Sequence, residues 1–274
     1  MIDLTGKVAI VGGAGSGIGE ASVRRLASLG AKVVVGDVAL ANAEKVASAI
    51  TAGGGAAIAL FYDLHDEASI RKMIEDTVGW YGRLDILHAN AADLSPEVGR
   101  GDLQIADMDA AVWDRVLHGN LTGSMLCAKY AIPHMIAAGG GSIVFTGSVL
   151  SLRGNLGQSA YSVSKAGLIQ LARQIATQYG KQGVRANVVL PGLTTSAYVL
   201  ENIAPFLLDL MLSETLTPTL AAPEDIADAV AFLASDAARV ITAQALAVDG
   251  GEGAHFPGIG RLREIAAAGG LHKG

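Results

Sequence analysis

Cysteine is nearly missing from this chain: among 274 residues only Cys127 carries a thiol. One thiol makes no internal disulfide, and the expected setting is a reducing cytoplasm. Charge is also scarce. Charged residues are 17% of the chain against 51% hydrophobic, so much apolar surface has to be covered in a core or between subunits. Long apolar runs are lacking too. No stretch reaches the roughly 18 unbroken residues of a membrane span, and Asp3 and Lys7, just ahead of the first strand, do not fit a signal peptide. There is no surplus of positive charge: the net formal charge of −6 argues against nucleic acid as the main partner. The six histidines (65, 88, 118, 134, 255 and 272) show no H-E-x-x-H or similar spacing, so surface or core roles are expected and no metal site is. Cys127 falls in the middle of a helical run and reads as a small buried hydrophobe.

What is present is an alternation of apolar strands and helices, in a length that suits one α/β domain. Residues 7–11 (KVAIV) are a short, mostly apolar run, and Gly12-Gly-Ala-Gly-Ser-Gly-Ile-Gly19 follows at once. An amphipathic segment then continues to Leu29 and stops at Gly30. Strand, glycine turn and helix in that order form a phosphate-binding unit, because backbone N–H groups and the positive helix end face the ligand and glycine allows close approach. The frame that fits is G-x-x-x-G-x-G through Gly13, Gly17 and Gly19. The next strand, 32–36, ends at Asp37, where a carboxylate accepts from ribose hydroxyls and repels a 2′-phosphate. No Arg or Lys lies in the turn or just after Asp37, which favours NAD over NADP.

Further strands are expected at 57–62, 84–89, 142–146, 185–190 and 245–248. Helices are expected at 41–52, 67–81, 110–138, from Tyr161 to about 179, and at 223–234. Strands alternating with helices give a parallel, doubly wound sheet covered on both faces, with ligand beyond the carboxyl ends of the strands. Gly13, Asp37, Asp63, Asn90, Ser148 and Pro191 all fall at such ends. Tyr161 and Lys165 are four apart on one helix face. An ammonium beside a phenol favours the phenolate and pulls its pKa down from about 10, the tuning a general base needs. Y-x-x-x-K alone is also an ordinary exposed helix pair; its weight comes from the company it keeps.

In that company the chain resembles the short-chain dehydrogenases/reductases from about residue 4 to 251. The resemblance is carried by the glycine loop, Asn120 in His118-Gly-Asn-Leu-Thr-Gly123, Ser148, Tyr161-x-x-x-Lys165 and Pro191-Gly192. It implies a Rossmann-type sheet of about seven strands in one catalytic domain, 1–251, followed by an extension, 252–274. It implies Tyr161 as acid/base, with Lys165 lowering its pKa and bonding the nicotinamide ribose. Ser148 would orient the substrate oxygen, and Asn120 would hold a water in the proton path. Expected NAD contacts are Gly13, Gly15, Ser16, Gly17, Ile18 and Gly19 at the diphosphate, Asp37 at the ribose, and Asp63 and Leu64 at the adenine. Asn90, Ala91, Tyr161, Lys165, Pro191 and Gly192 follow, with Ser196 near the carboxamide and Thr194 and Thr195 as rivals.

Two departures concern packing. The family usually has Thr where Gly12 stands, and its N-N-A-G reads Ala89-Asn-Ala-Ala92. Arg153 lies between Ser148 and Tyr161, where it could meet an anionic substrate, although its Leu-Arg-Gly is common in the family and favours a structural role. Residues 194–218 are rich in apolar side chains and match the family's substrate lid; packing on the core or on a neighbouring subunit is the rival account. If they form a lid, the substrate is a mostly apolar secondary alcohol or ketone. The resemblance also implies a soluble homotetramer with no membrane partner. Two alternatives to an NAD-dependent alcohol dehydrogenase are a 3-oxoacyl-thioester reductase, which Asp37 opposes, and a dinucleotide-binding protein without catalysis, which the full residue set opposes.

Overall fold

A computed structural model describes residues 2–268. Its strands are Val8–Gly12 (β1), Lys32–Asp37 (β2), Ala56–Phe61 (β3), Ile86–Ala89 (β4), Gly141–Thr146 (β5), Val184–Pro191 (β6) and Ala245–Val248 (β7). They form one sheet in the order β3-β2-β1-β4-β5-β6-β7, and every neighbouring pair is parallel. The central strands are mostly apolar because helices cover both faces.

The helices are Gly17–Ser28 (α1), Leu40–Ala52 (α2), Glu67–Tyr81 (α3), Pro96–Gly101 (α4), Ala110–Leu117 (α5), Ser124–Ala137 (α6) and Ser159–Tyr179 (α7). They continue with Ala197–Asn202 (α8), Pro205–Glu214 (α9), Pro223–Ala234 (α10) and Ile259–Ala267 (α11). Alternation along each strand sorts the core into two layers. Ile10, Val34, Leu87 and Phe145 pack with Ile70, Met73, Ala131, Met135, Leu168 and Ala172 of α3, α6 and α7. Ala9, Val11, Val33, Val35 and Ile86 pack with Val23, Leu26, Val46, Ile50 and Ala231 of α1, α2 and α10.

The chain reverses its direction across the sheet between β1 and β4, which pair through Gly12 and Ala89. A ligand crevice is expected at such a switch point, and Gly13 and Asn90 are the residues that follow the pair.

The helix expected over 110–138 is not uniform. It is interrupted by a π-helical turn at His118–Gly123. The cause is contact: a Cβ on Gly119 would lie 2.6 Å from the His65 ring, and one on Gly123 would collide with the Leu64 carbonyl. The helix is therefore pressed onto the loop after β3 at its two glycines, and the extra residue of the π turn absorbs the mismatch. The polar connection before it contains a short helix, α4, whose Ser95 cap accepts from the Val98 N–H at 3.5 Å. No helix among the described residues is long and apolar enough to cross a membrane.

Candidate active site

β1 runs straight into the glycine loop. Gly13 and Gly17 adopt φ of +69° and +55°, the left-handed region that glycine enters freely. A Cβ on Gly13 would sit 2.9 Å from Ala91 Cα, one on Gly15 2.8 Å from Asp37 Oδ2, and one on Gly19 would collide with the Gly13 carbonyl. The loop thus packs on the ends of β2 and β4 only as glycine. At Gly17 an added Cβ would meet nothing nearer than Ser196 Cβ at 3.9 Å, so this side of the loop is open. Ser16 caps α1 with no side-chain bond of its own, and first-turn N–H groups of a helix lack intrahelical acceptors. A concave row of glycines at a helix N-terminus fits a dinucleotide diphosphate. Ile18 instead turns inward, against the cluster around Val144, Val189 and Ile226.

Asp37 is fixed by two backbone donors: Gly15 N at 2.8 Å and Ala39 N at 2.9 Å, one on each carboxylate oxygen. Each oxygen keeps a free lone pair for a ribose hydroxyl. Val38, which follows, is 59% exposed and offers no positive charge. Asp63 accepts from His65 N at 2.8 Å, and Leu64 lies against the π turn.

At the switch point a chain of hydrogen bonds links the loop to the candidate catalytic residues. Asn90 Nδ2 donates to the Gly13 carbonyl at 3.1 Å, and the Thr146 hydroxyl donates to Asn90 Oδ1 at 3.0 Å. Lys165, 1% exposed, donates its ammonium to the Thr146 carbonyl at 2.7 Å. His88, on β4, lies 2.9 Å from the Thr146 hydroxyl through Nε2. Because that hydroxyl's proton goes to Asn90, His88 carries its own on Nε2, and its buried Nδ1 has no protein partner. Burial, reinforced by the Lys165 charge, pushes His88 down to about 3, so it is a neutral strut.

Lys165 and Tyr161 share a face of α7, with the ammonium 5.6 Å from the centre of the phenol ring. The spacing predicts that Lys165 lowers the phenol; the structure shows a different balance. Burial pushes Tyr161 above the ordinary phenol value, and only the Ser148 hydroxyl acts in the opposite direction. Burial also lowers Lys165, to about 8. Desolvation disfavours both charged forms, and the ammonium spends its short hydrogen bond on a carbonyl.

Ser148 caps the turn after β5, accepting from Leu150 N at 3.2 Å. Asn120 is fully buried in the π turn. Its Oδ1 accepts from Asp93 N at 2.8 Å, its Nδ2 donates to the Ser164 hydroxyl at 3.2 Å, and its carbonyl accepts from the Ser124 hydroxyl at 2.7 Å. Pro191 ends β6, and the Gly192 N–H donates to the Val248 carbonyl at 3.2 Å. The Thr194 and Thr195 hydroxyls both donate to backbone carbonyls, those of Gly192 and Ala221. Ser196 accepts from Val199 N as the cap of α8.

Besides His88, three contributors carried no motif. Asp102 is buried and accepts from the N–H groups of Ala160 and Tyr161 at 2.8 and 2.9 Å. It caps α7 from 58 positions earlier in the chain, because the local cap residue, Gln158, sits at φ 56° and its side chain does not cap the helix. Asp93 is held by Arg115 at 2.7 Å and His65 at 3.0 Å. Although burial opposes it, these bonds leave the Asp93 carboxyl at about 2. Tyr62 explains the first departure: a Cβ on Gly12 would lie 3.0 to 3.4 Å from its ring, so the tyrosine fills the space of the missing threonine. The Tyr62 hydroxyl meets Cys127 Sγ at 3.5 Å, and burial pushes that thiol up to about 11, the inert hydrophobe expected. Arg153 is paired with Glu252 at 2.8 Å and Asp249 at 3.7 Å, in keeping with a structural role. Among the described residues no group of His, Cys, Asp and Glu could hold a metal ion. A recess of about 270 Å³ lined by Lys7, Asp85 and Arg185 lies at the opposite, amino ends of the strands.

Known proteins are similar to the chain over most of its length. A family model described as enoyl-(acyl carrier protein) reductase matches residues 13–252. A cis-4-hydroxycyclohexanecarboxylate dehydrogenase of Sinomonas cyclohexanicum is 41% identical, over 89% of this chain and 96% of its own. A 7alpha-hydroxysteroid dehydrogenase of Bacteroides fragilis is 36% identical, over 92% and 96%. A solved 7 alpha-hydroxysteroid dehydrogenase, complexed with NADH and 7-oxo glycochenodeoxycholic acid, superposes with a TM-score of 0.85 at 32% identity, covering 91% of this chain and 95% of its own. The chain belongs to the short-chain dehydrogenase/reductase family. It is therefore an oxidoreductase of the short-chain type.

Two outcomes follow. Gly12→Thr costs about 1–3 kcal/mol by overpacking against Tyr62, and adding Tyr62→Val restores most of it; additive losses in urea unfolding would sink the pairing. His88 binds a proton near 6.5 when unfolded but only near 3 when folded, so stability is present above the unfolded value and falls on acidification through that window. His88→Leu reduces the stability lost between pH 7 and pH 5 by of order 1–2 kcal/mol, read from urea midpoints at both pH values.

Proposed function

We propose that the protein interconverts a mostly apolar secondary alcohol and its ketone, with NAD as cofactor. The observation that carries the reaction is the grouping of Ser148, Tyr161 and buried Lys165 beyond the end of β5. Bound there, the nicotinamide supplies the hydride acceptor for oxidation and the donor for reduction. Tyr161 takes the hydroxyl proton as the carbonyl forms, and returns it in the reverse direction. Ser148 positions the reacting oxygen. Lys165, its ammonium 5.6 Å from the centre of the phenol ring, serves the ribose, and Asn120 anchors the proton path behind it. Asp37, fixed by Gly15 and Ala39 and followed by Val38, favours the unphosphorylated ribose.

Substrate class rests on the segment 194–218, read as a lid over the site. α8 and α9 bury no residue of their own, and Tyr198, Leu200, Phe206 and Leu210 are exposed. Leu152 and Leu156, in the loop before Tyr161, add to this apolar surface. Apolar side chains left exposed beside a site mark a binding surface. The names of the relatives, hydroxycyclohexanecarboxylate and hydroxysteroid dehydrogenases, support an alicyclic alcohol. A 3-oxoacyl thioester is the second reading, and Asp37 opposes the NADPH that such reductases mostly use. A cytoplasmic setting suits the lone buried thiol. Exposed Met125 and Val163 on α6 and α7, and exposed Leu246 on edge strand β7, support a homotetramer.

A panel of cyclic, aromatic and steroid alcohols, followed by NADH absorbance, tests the reading. A cyclic or steroid alcohol is oxidised with NAD at least about 100-fold more efficiently than with NADP, since like charges oppose at Asp37. Tyr161→Phe lowers kcat roughly 10²–10⁴-fold and leaves NADH binding close to the parent's. Oxidation needs the phenol unprotonated and reduction needs it protonated, so oxidation rises with pH toward the alkaline range and reduction falls. Turnover of an acetoacetyl thioester with NADPH alone would overturn the proposal, as would unimpaired oxidation by Tyr161→Phe. Light scattering should give about four times the 27.9 kDa chain mass; a monomer would exclude the tetramer.

A further inference from the structure

The extension after residue 251 is accounted for by no motif, yet its described part is bonded to the last turn of α9. Helix ends leave carbonyls without partners. Here the Ser213 carbonyl accepts from Arg263 Nη1 at 2.8 Å, and the same nitrogen reaches the Thr215 carbonyl at 2.9 Å. The Glu214 carbonyl accepts from His255 Nε2. In return the Glu214 carboxylate accepts from Gly260 N at 3.2 Å, in the first turn of α11. A cation therefore sits at the negative end of α9 and an anion at the positive end of α11, the favourable choice at both. Contact is close: a Cβ on Gly260 would lie 2.5 Å from the Ser213 hydroxyl. The half-buried residues of α11, Ile259, Leu262 and Ile265, recur every three positions, one face of a helix.

The root of the extension is tied as well. The Gly250 carbonyl accepts from Leu216 N at 2.7 Å. Arg153, from the loop between Ser148 and Tyr161, bonds Glu252 at 2.8 Å. One segment, 249–263, thus grips both the loop between Ser148 and Tyr161 and the far end of α9. By contrast α9 buries no residue in the body of the protein, so these bonds are its main attachment at that end.

We propose that the extension is the anchor of the substrate lid and that Arg263 is a positioning residue for it. With the extension in place, α9 presents Phe206 and Leu210 at the height needed to close on a bulky apolar alcohol. Without it, α9 frays from its carboxyl end and substrate affinity is lost, while proton and hydride transfer are untouched. This rests on the lid reading above.

The full-length protein, Arg263→Ala, Arg263→Lys and Phe206→Ala are compared by steady-state kinetics on the best cyclic or steroid alcohol, by NADH fluorescence titration and by amide exchange over 205–216. Arg263→Ala raises KM about tenfold, the loss expected for one charge-assisted hydrogen bond. It leaves kcat and the NADH Kd near the parent's and speeds exchange over 205–216; Arg263→Lys recovers part of both changes. If Arg263→Ala proves insoluble, Gly260→Val attacks the same contact from the other helix, with the same expectation. Unchanged KM and exchange in the Arg263 or Gly260 variant, while Phe206→Ala raises KM, overturn the anchor and leave the lid standing. Should Phe206→Ala also leave KM unchanged, the lid reading itself fails, and exchange decides the anchor: faster exchange supports it as an attachment of α9, unchanged exchange overturns it.

Discussion

A lysine ammonium taken out of water is the constraint on which the rest of the structure depends. Lys165 is buried to 1% exposure with a single short bond, to the Thr146 carbonyl. Such a group is costly unless a strong acceptor meets it. The acceptor is the last carbonyl of β5, so α7 has to lie with its first turns over that strand end. Thr146 is held in turn by His88 and Asn90, and Asn90 by the Gly13 carbonyl. Strand order then matters, because only the β1–β4 adjacency brings Gly13 and Asn90 together. A local requirement for one cation thus reaches across three strands, β5, β4 and β1.

The fold was largely legible because its signal is repetitive. Buried parallel strands read as apolar runs, and the amphipathic stretches at 67–81 and 223–234 coincide with α3 and α10. Reading failed where contact overrides periodicity. The π turn at His118–Gly123 lies inside a run read as one helix, and the approach of Leu64 and His65 to its two glycines breaks it. α4 is too short to show a period.

The site was legible wherever a residue type is tied to a strand end: Asp37, Asn90, Ser148 and the Tyr161–Lys165 pair lie where the spacing puts them. Its electrostatics were not. Sequence spacing brings Lys165 to the phenol, but desolvation and the Thr146 carbonyl, both tertiary, set the balance. Nor does spacing reveal Asp102, Asp93 or His88, each of which acts on a partner remote in the chain. Tyr62 shows the same limit: Gly12 departs from the family's threonine, and only the ring that fills its place, remote in the chain, accounts for it.

The cap supplied by Asp102 decides how the backbone of Tyr161 is held. Its helix has no start signal of its own, so the first turn of α7 is only as settled as the segment from α4 to Leu103 that delivers the carboxylate. That segment borders the mouth of the site. A displacement of the segment would be passed through one carboxylate to the backbone of Tyr161, so the two share a single joint.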